Sequence, residues 1–309
     1  MTEKTSSDFV AIAVAPVAVG FMALGEKLTQ SCCEAGLKWQ RPVRLLGSED
    51  RWAAVELDVE AAPDTIQTAR TALEADFEGQ ADIALIPAAY RRKRLLISDM
   101  DSTIIKQECL DELAAYAGLK DEIAAITARA MAGELDFEGA LTARVGKLNG
   151  LSLDALAKCY AERISLMPGA KTLTATMTAH GATCVLVSGG FTYFTERVAE
   201  DAGFSAHRGN TLLDDGAALT GDLGQPILGR EAKLTALDEF AAEAGLVRRD
   251  ALAMGDGAND LAMIEAAGMG LAVHAKPVVA AASDAAIKVT DLTAALYFQG
   301  YSDSEIIWR

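Results

Sequence analysis

Two carboxylates stand two residues apart in Asp99-Met-Asp-Ser-Thr103, directly after the apolar run Leu95-Leu-Ile-Ser98. Carboxylates at i and i+2 across a turn repel each other unless a cation or a proton lies between them. The chain supplies no Lys or Arg after them until Lys106, and a hard divalent cation with oxygen ligands resolves that conflict. A second acidic cluster, Asp256-Gly-Ala-Asn-Asp260, follows another apolar run, Ala251-Leu-Ala-Met254. A magnesium site of carboxylates, a carbonyl oxygen and waters is therefore expected where the two ends meet. The three histidines, His180, His207 and His274, do not cluster, and read as structural or surface groups. No Gly-x-Gly-x-x-Gly and no Gly-Lys-Ser/Thr is present, so nucleotide hydrolysis has no support of its own.

Uninterrupted apolar runs with helices between them read as parallel strands covered on both faces. Three such runs each end in small and polar residues: Leu95 to Ser98 before Asp99, Cys184 to Val187 before Ser188-Gly-Gly190, and Ala251 to Met254 before Gly255-Asp-Gly257. Ligands of such sheets bind outside the carboxyl ends of the strands at a topological switch point, where all three clusters converge. Between the first two runs the spacing predicts four helices. Leu110 to Ala117 stops at Gly118, Ile123 to Ala130 at Gly133, and Phe137 to Leu148 at Gly150, while Ser152 caps Leu153 to Ile164. Inserted after the first strand, residues 106–166 can sit over the sheet edge as a water-excluding cap. Asn210 to Gly221, with its Asp-Gly turn, predicts a hairpin.

Residues 1–87 alternate on a smaller scale. Strands are predicted at Val10–Val14, Val43–Leu46, Trp52–Leu57 and Ile83–Ile86, with helices from Gly20 to Ala35 and from Pro63 to about Phe77. This β-α-β-β-α-β order is that of a ferredoxin-like α+β domain. The boundary falls after Pro87, in a segment whose basic run Arg91-Arg-Lys-Arg94 reads as a solvated linker. A second, larger domain, residues 91–309, follows.

Composition narrows the function. With 309 residues, 51% hydrophobic and 23% charged, the chain is globular and long enough for two domains. Its formal charge of −16 repels a polyphosphate backbone, so nucleic acid is not an expected partner. Five cysteines form no Cys-x-x-Cys pair, which fits a reducing cytoplasm. Cys32-Cys33 reads as part of a buried helix face. The apolar stretch Phe9–Leu24 contains Pro16 and Gly20 and is 16 residues long, too short for a membrane span and without the basic lead of a signal peptide. A homodimer is compatible with all of this.

Asp-x-Asp-x-Thr, Ser-Gly-Gly, a lone Lys and Gly-Asp-Gly-x-Asn-Asp, in that order over residues 94–297, resemble the haloacid dehalogenase-like hydrolases, and within them the members that act on phosphoserine. The N-terminal domain is similar in outline to the ACT-like domains that precede some bacterial members. The resemblance implies a Rossmann-like sheet, an inserted helical cap and Mg²⁺-dependent hydrolysis of O-phospho-L-serine, the last step of serine biosynthesis. It also implies roles. Asp99 is the nucleophile that forms an aspartyl-phosphate, and Asp101 is the general acid and then base. Asp99, the Asp101 carbonyl and Asp256 hold the metal, with Asp260 close behind. Ser188 and the Gly189 N–H donate to the phosphoryl oxygens, Asn259 assists, and Lys233, 23 residues before Asp256, neutralises Asp99 and phosphate together.

Substrate choice resides in the cap on this resemblance. Glu108, nine residues after Asp99, matches the family's ammonium contact, and Arg144 its carboxylate contact. Met131 and Phe137 stand with them; Phe137 and Arg144 are seven apart, hence on one helix face. Arg suits a bidentate carboxylate contact in a way Lys does not. Two other readings compete: phosphotransfer or hydrolysis of another small phosphomonoester on the same fold, and a regulatory amino-acid-binding protein with a vestigial site.

Overall fold

Small and large apolar residues alternate along the first strand, β1 (Ser7–Pro16), and each set has its own destination. Ala11, Ala13 and Ala15 face the helices α1 (Phe21–Glu34) and α2 (Ile66–Asp76), packing with Leu24, Leu28 and Leu73. Val10, Ile12 and Val14 face the other way, into a core shared with Leu296, Tyr297 and Phe298 near the C-terminus. Burial on both faces explains an apolar run without polar alternation. The computed structural model describes residues 7–39, 41–62, 64–131 and 134–309.

The short strands β2 (Lys38–Trp39) and β3 (Arg44–Leu45) both pair with β4 (Trp52–Ala61), which runs antiparallel to β1 over ten residues. The sequence predicts that strand only as far as Leu57. The period-2 set Val55, Leu57, Val59 and Ala61 continues inward, while Asp58 and Glu60 alternate onto the other face and conceal it. On its other edge β1 pairs with β5 (Asp82–Pro87). Cys32 is buried but Cys33 is exposed, so the helix face expected to bury both stops one residue short.

The next strand, β6 (Leu95–Ser98), is followed by four helices: α3 (Cys109–Tyr116), α4 (Lys120–Met131), α5 (Phe137–Gly146) and α6 (Leu153–Arg163). Asp136 caps α5 by accepting from Gly139 N–H at 2.8 Å, and Ser152 caps α6 through Ala155 N–H. The β-bridge Ile105–Leu166 closes the base of this insertion. There follow α7 (Ala170–Ala179), β7 (Thr183–Phe191), α8 (Thr192–Ala202) and β8 (Ala206–Asn210). A separate hairpin, β9 (Leu212–Asp214) with β10 (Leu219–Leu223), turns at Asp215, whose carboxylate accepts from Ala217 and Ala218 N–H. The chain ends through α9 (Arg230–Glu243), β11 (Ala251–Gly255), α10 (Leu261–Ala266), β12 (Met269–Val273), α11 (Pro277–Ala282), β13 (Ala285–Ile287) and α12 (Ala294–Phe298).

Strands β6, β7, β8, β11, β12 and β13 are parallel, in the order β13-β12-β11-β6-β7-β8. From β6 the chain proceeds outward on one side to β7 and β8, then crosses to β11 on the other. The switch point therefore lies between β6 and β11.

The N-terminal strands join this same sheet, because β5 pairs antiparallel with β13 at Ala84–Ala285. The buried Asp82 carboxylate reinforces the junction, accepting from the N–H groups of Lys288, Val289 and Thr290 at 2.7–2.9 Å and from the Thr290 hydroxyl. The basic run between them is not the solvated linker its composition predicts. Lys93 is 4% exposed and donates to the carbonyls of Arg249 and Gly268, both at 2.8 Å. Arg91 pairs at 2.6 Å with the buried Glu56, and Arg92 pairs with Glu305 while stacking on Tyr301. Three of the four charges thus tie distant segments together, each finding a carbonyl or carboxylate that only the tertiary fold supplies.

Candidate active site

The Asp99–Ile105 loop is held by its own backbone. Asp99 N–H donates to the Met254 carbonyl at 3.0 Å, tying the end of β6 to β11. The N–H groups of Thr103, Ile104 and Ile105 all converge on the Met100 carbonyl at 2.8–3.2 Å. Ser102 takes a left-handed conformation, φ 54°, and its hydroxyl donates to Glu108 Oε1 at 2.7 Å. Asp101 Oδ1 accepts from Cys109 N–H at 3.1 Å, so the carboxylate sits at the N-terminus of α3.

Beneath this loop lies a buried ionic cluster. Lys233, from the first turn of α9, reaches Asp99 at 2.7 Å and Asp260 at 2.5 Å, with all three residues at most 5% exposed. Asp260 spends its second oxygen on Gly257 N–H at 3.1 Å, so both of its oxygens are engaged. Asp99, Asp256 and Asp260 bring carboxylate oxygens within 4.8 Å of one another. Burial pushes the Asp99 carboxyl well above the usual range, and Asp260 and Asp101 add to this while Lys233 opposes it. Burial and Asp260 likewise raise Asp256 to about 6. One lysine does not offset three carboxylates in this space. The deficit, and a donor set made only of oxygens, fits a hard divalent cation.

Above the cluster opens a cavity of about 310 Å³. Asp99, Asp101, Asp256 and Asn259 line its floor, with Ser188 and Gly189 at one side. Burial, with repulsion from Glu108, raises the Asp101 carboxyl to about 7. The inserted helices form the roof with Glu108, Phe137 and Arg144. Burial lowers the Arg144 pKa while Asp111 and Glu108 oppose this, and among the described residues no carboxylate forms an ion pair with it. Phe137 comes within about 3.6 Å of where a Cβ on Gly189 would stand and 3.7 Å of one on Gly229, bridging insertion and sheet. All but one of the residues singled out in the sequence thus meet at this cavity or directly beneath it. The exception is Met131, whose side chain lies outside the described residues.

Several contributors are not among the site residues that the sequence assigns. A Cβ on Gly190 would stand 3.0 Å from Asp101 Oδ2 and 3.1 Å from Ser188 Oγ, so any larger residue presses on both catalytic-loop side chains, and the Gly190 N–H donates to Ser188 Oγ at 2.9 Å. Asn210, 1% exposed at the end of β8, donates to the Gly189 carbonyl at 2.8 Å and accepts from Leu228 N–H at 2.7 Å, fixing the loop. Asp111 and Lys276 also line the cavity. A lone Asn, Asp or Lys outside a motif reads as a surface residue, and only the tertiary structure places these three.

Fold and site together define a doubly wound α/β enzyme with an acidic centre at its switch point and helices inserted above it. A family profile described as haloacid dehalogenase-like hydrolase matches residues 96–265, and the chain belongs to that family. It is 44% identical over 227 residues to the phosphoserine phosphatase of Streptomyces coelicolor, which covers 73% of this chain and 55% of that one. It is 42% identical over 216 residues to the probable phosphoserine phosphatase of Schizosaccharomyces pombe, covering 69% and 72%. The match therefore spans little more than half the length of the Streptomyces protein. Among solved structures, a haloacid dehalogenase family hydrolase from Salmonella enterica serovar Typhi superposes over 94% of this chain and 98% of its own, with TM-score 0.82 and 28% identity.

Proposed function

We propose that the chain is a phosphoserine phosphatase, cleaving O-phospho-L-serine to L-serine and phosphate. The observation that carries this reading is the under-compensated Arg144 guanidinium held beside Glu108 in the cavity roof, opposite Asp99 and Lys233. A substrate with a carboxylate, an ammonium and a phosphate offers one partner to each: carboxylate to Arg144, ammonium to Glu108, phosphate to the floor. Phosphoserine phosphatases among the relatives support the same choice.

Asp99 supplies the nucleophilic oxygen, its other oxygen held by Lys233 at 2.7 Å. Its attack on phosphorus forms the aspartyl-phosphate O–P bond as the P–O bond to serine breaks. Asp101, raised to about 7 by burial and by Glu108, gives its proton to the departing serine oxygen and then takes one from the water that attacks the phosphoenzyme. Ser188 and the Gly189 N–H bind the phosphoryl oxygens, Asn259 assists, and Lys233 balances the charge gathering over Asp99. Asp99, the Asp101 carbonyl and Asp256 would hold Mg²⁺, with Asp260 behind them bound to Lys233 and Gly257. When bound, the ion offsets repulsion between an anionic nucleophile and a dianionic phosphate.

In this reading residues 106–166 are the cap that excludes water, and residues 1–87 are a ferredoxin-like, ACT-like unit docked on the sheet edge. A cytoplasmic enzyme, compatible with a homodimer, completes the proposal. No helix among the described residues is long and apolar enough to cross a membrane.

Glu108→Gln tests the substrate. Losing the charge opposite an ammonium lowers kcat/KM for phosphoserine by on the order of 10–100-fold, the usual value of a charge-assisted hydrogen bond. Hydrolysis of p-nitrophenyl phosphate, which has no ammonium, falls by a clearly smaller factor, the part that reflects Asp101, whose carboxyl Glu108 helps to raise. Equal losses on both substrates would contradict the assignment of Glu108 and with it the choice of phosphoserine.

A further inference from the structure

The cavity holds a cation that the reaction described above does not use. Lys276 lines it from the segment between β12 and α11, and its ammonium has no hydrogen bond or ion pair among the described residues. Its root, by contrast, is fixed. Lys276 N–H donates to the Asp256 carbonyl at 3.3 Å, and its own carbonyl accepts from Val279 and Ala280 N–H at 2.9 and 3.1 Å. Pro277 follows at the first position of α11 and holds Lys276 in extended backbone, φ −62° and ψ 149°. A fixed backbone thus carries a free charge on a flexible four-carbon stem.

The strand order β12-β11-β6-β7 sets Lys276, Asp256, Asp99 and Ser188 in a row across the carboxyl edge of the sheet. Lys276 and Ser188 therefore flank Asp99 from opposite sides, whereas Arg144 and Glu108 reach down from the inserted helices. Carboxylates dominate the wall: Asp99, Asp101, Glu108, Asp111 and Asp256 stand against Arg144 and Lys276. Lys233 lies beneath, already shared between Asp99 and Asp260. A dianionic group entering this field gains from any free cation on the flank where Asp256 otherwise repels it.

We propose that Lys276 is a further substrate-binding residue, whose ammonium closes onto the phosphate of the bound phosphomonoester from the side opposite Ser188. This rests on the phosphatase reading, and it assigns the contact to the phosphate, leaving the amino-acid end to Arg144 and Glu108.

The test is calorimetric titration of inorganic phosphate and, separately, of L-serine into magnesium-loaded wild-type, Lys276→Ala and Lys276→Arg proteins, with steady-state kinetics on phosphoserine alongside. Lys276→Ala is expected to weaken phosphate binding by about 5–30-fold, the range for a solvent-accessible charge-assisted contact. KM should rise in parallel with a much smaller fall in kcat. Lys276→Arg should return phosphate affinity to within about threefold, and L-serine binding should not change in either variant. Unchanged phosphate affinity in Lys276→Ala would overturn the proposal, as would a loss confined to L-serine, which would move the contact to the carboxylate. Because phosphate binding is read without turnover, a wild-type protein that binds phosphate but does not hydrolyse phosphoserine would defeat the substrate assignment alone and leave the Lys276 result interpretable.

Discussion

Asp99→Asn is expected to abolish turnover while leaving the fold at least as stable as the parent. An amide is a poor nucleophile and a weaker ligand for a hard cation, so kcat falls by on the order of 10⁴-fold or more, roughly 5 kcal/mol of transition-state stabilisation. Stability moves differently because burial already disfavours the ionised Asp99 carboxyl in spite of Lys233. Replacing it with a neutral isostere removes a charge the folded state holds at a cost. In the presence of chelator the variant should therefore unfold at or above the parent's Tm. Activity within about tenfold of the parent with Mg²⁺ present would contradict the aspartyl-phosphate route. A loss of activity accompanied by a large fall in Tm would instead place Asp99 among structural residues.

Lys233→Met is expected to damage both activity and fold. The ammonium is the common partner of Asp99 and of the fully buried Asp260. Burial works against its charge, yet the two carboxylates more than compensate, and its pKa ends above the usual lysine value. Taking one partner from a buried ionic cluster leaves charge without a counterion, a change worth about 3–5 kcal/mol. That corresponds to a Tm lower by roughly 5–8 °C for a chain of this size. Turnover should fall by at least about 10²-fold, the scale for losing one preorganised charge at a reacting centre. Thermal unfolding in chelator, followed by kinetics with saturating Mg²⁺, separates the two effects. Parent-like Tm together with parent-like kcat would show that the lysine is a bystander.

How far the sequence revealed this centre follows from the range over which each signal acts. Asp99, Asp101, Asp256 and Asp260 are legible because strand end and carboxylates are contiguous in the chain, so one motif reports both position and chemistry. Lys233 has no local signal and gains meaning only from its order among the motifs. Gly190 could have been suspected as the second glycine of its pair, but the reason it is needed, the nearness of Asp101 Oδ2, comes from another strand. Asn210, Asp111 and Lys276 offered nothing, since a single polar residue in a loop or on a helix is the commonest surface feature.

Fold legibility has the same origin. Three of the six parallel strands, β6, β7 and β11, are legible as bare apolar runs and the inserted helices from their periods and caps, whereas β8, with the sequence Ala-His-Arg-Gly-Asn, carries no such run. The acids Asp58 and Glu60 disguise the last four residues of β4, and the acid before them, Glu56, is buried against Arg44 and Arg91. Arg91, Arg92 and Lys93 read as solvated for the mirror-image reason: their partners, Glu56, Glu305 and the carbonyls of Arg249 and Gly268, are all distant in sequence. Charge runs report solvent exposure only when no tertiary partner awaits them.

The central claim is a metal-dependent phosphatase whose cavity roof selects phosphoserine. Release of inorganic phosphate from L-phosphoserine, phosphothreonine, sugar phosphates and p-nitrophenyl phosphate, each with Mg²⁺ and with chelator, tests both halves at once. Phosphoserine should be hydrolysed with the highest kcat/KM by at least about tenfold, the scale of one charged contact, and chelator should remove the activity on every substrate. Activity that persists in chelator would contradict the carboxylate metal site, and Mg²⁺-dependent release that favours another phosphomonoester would contradict the roles given to Glu108 and Arg144.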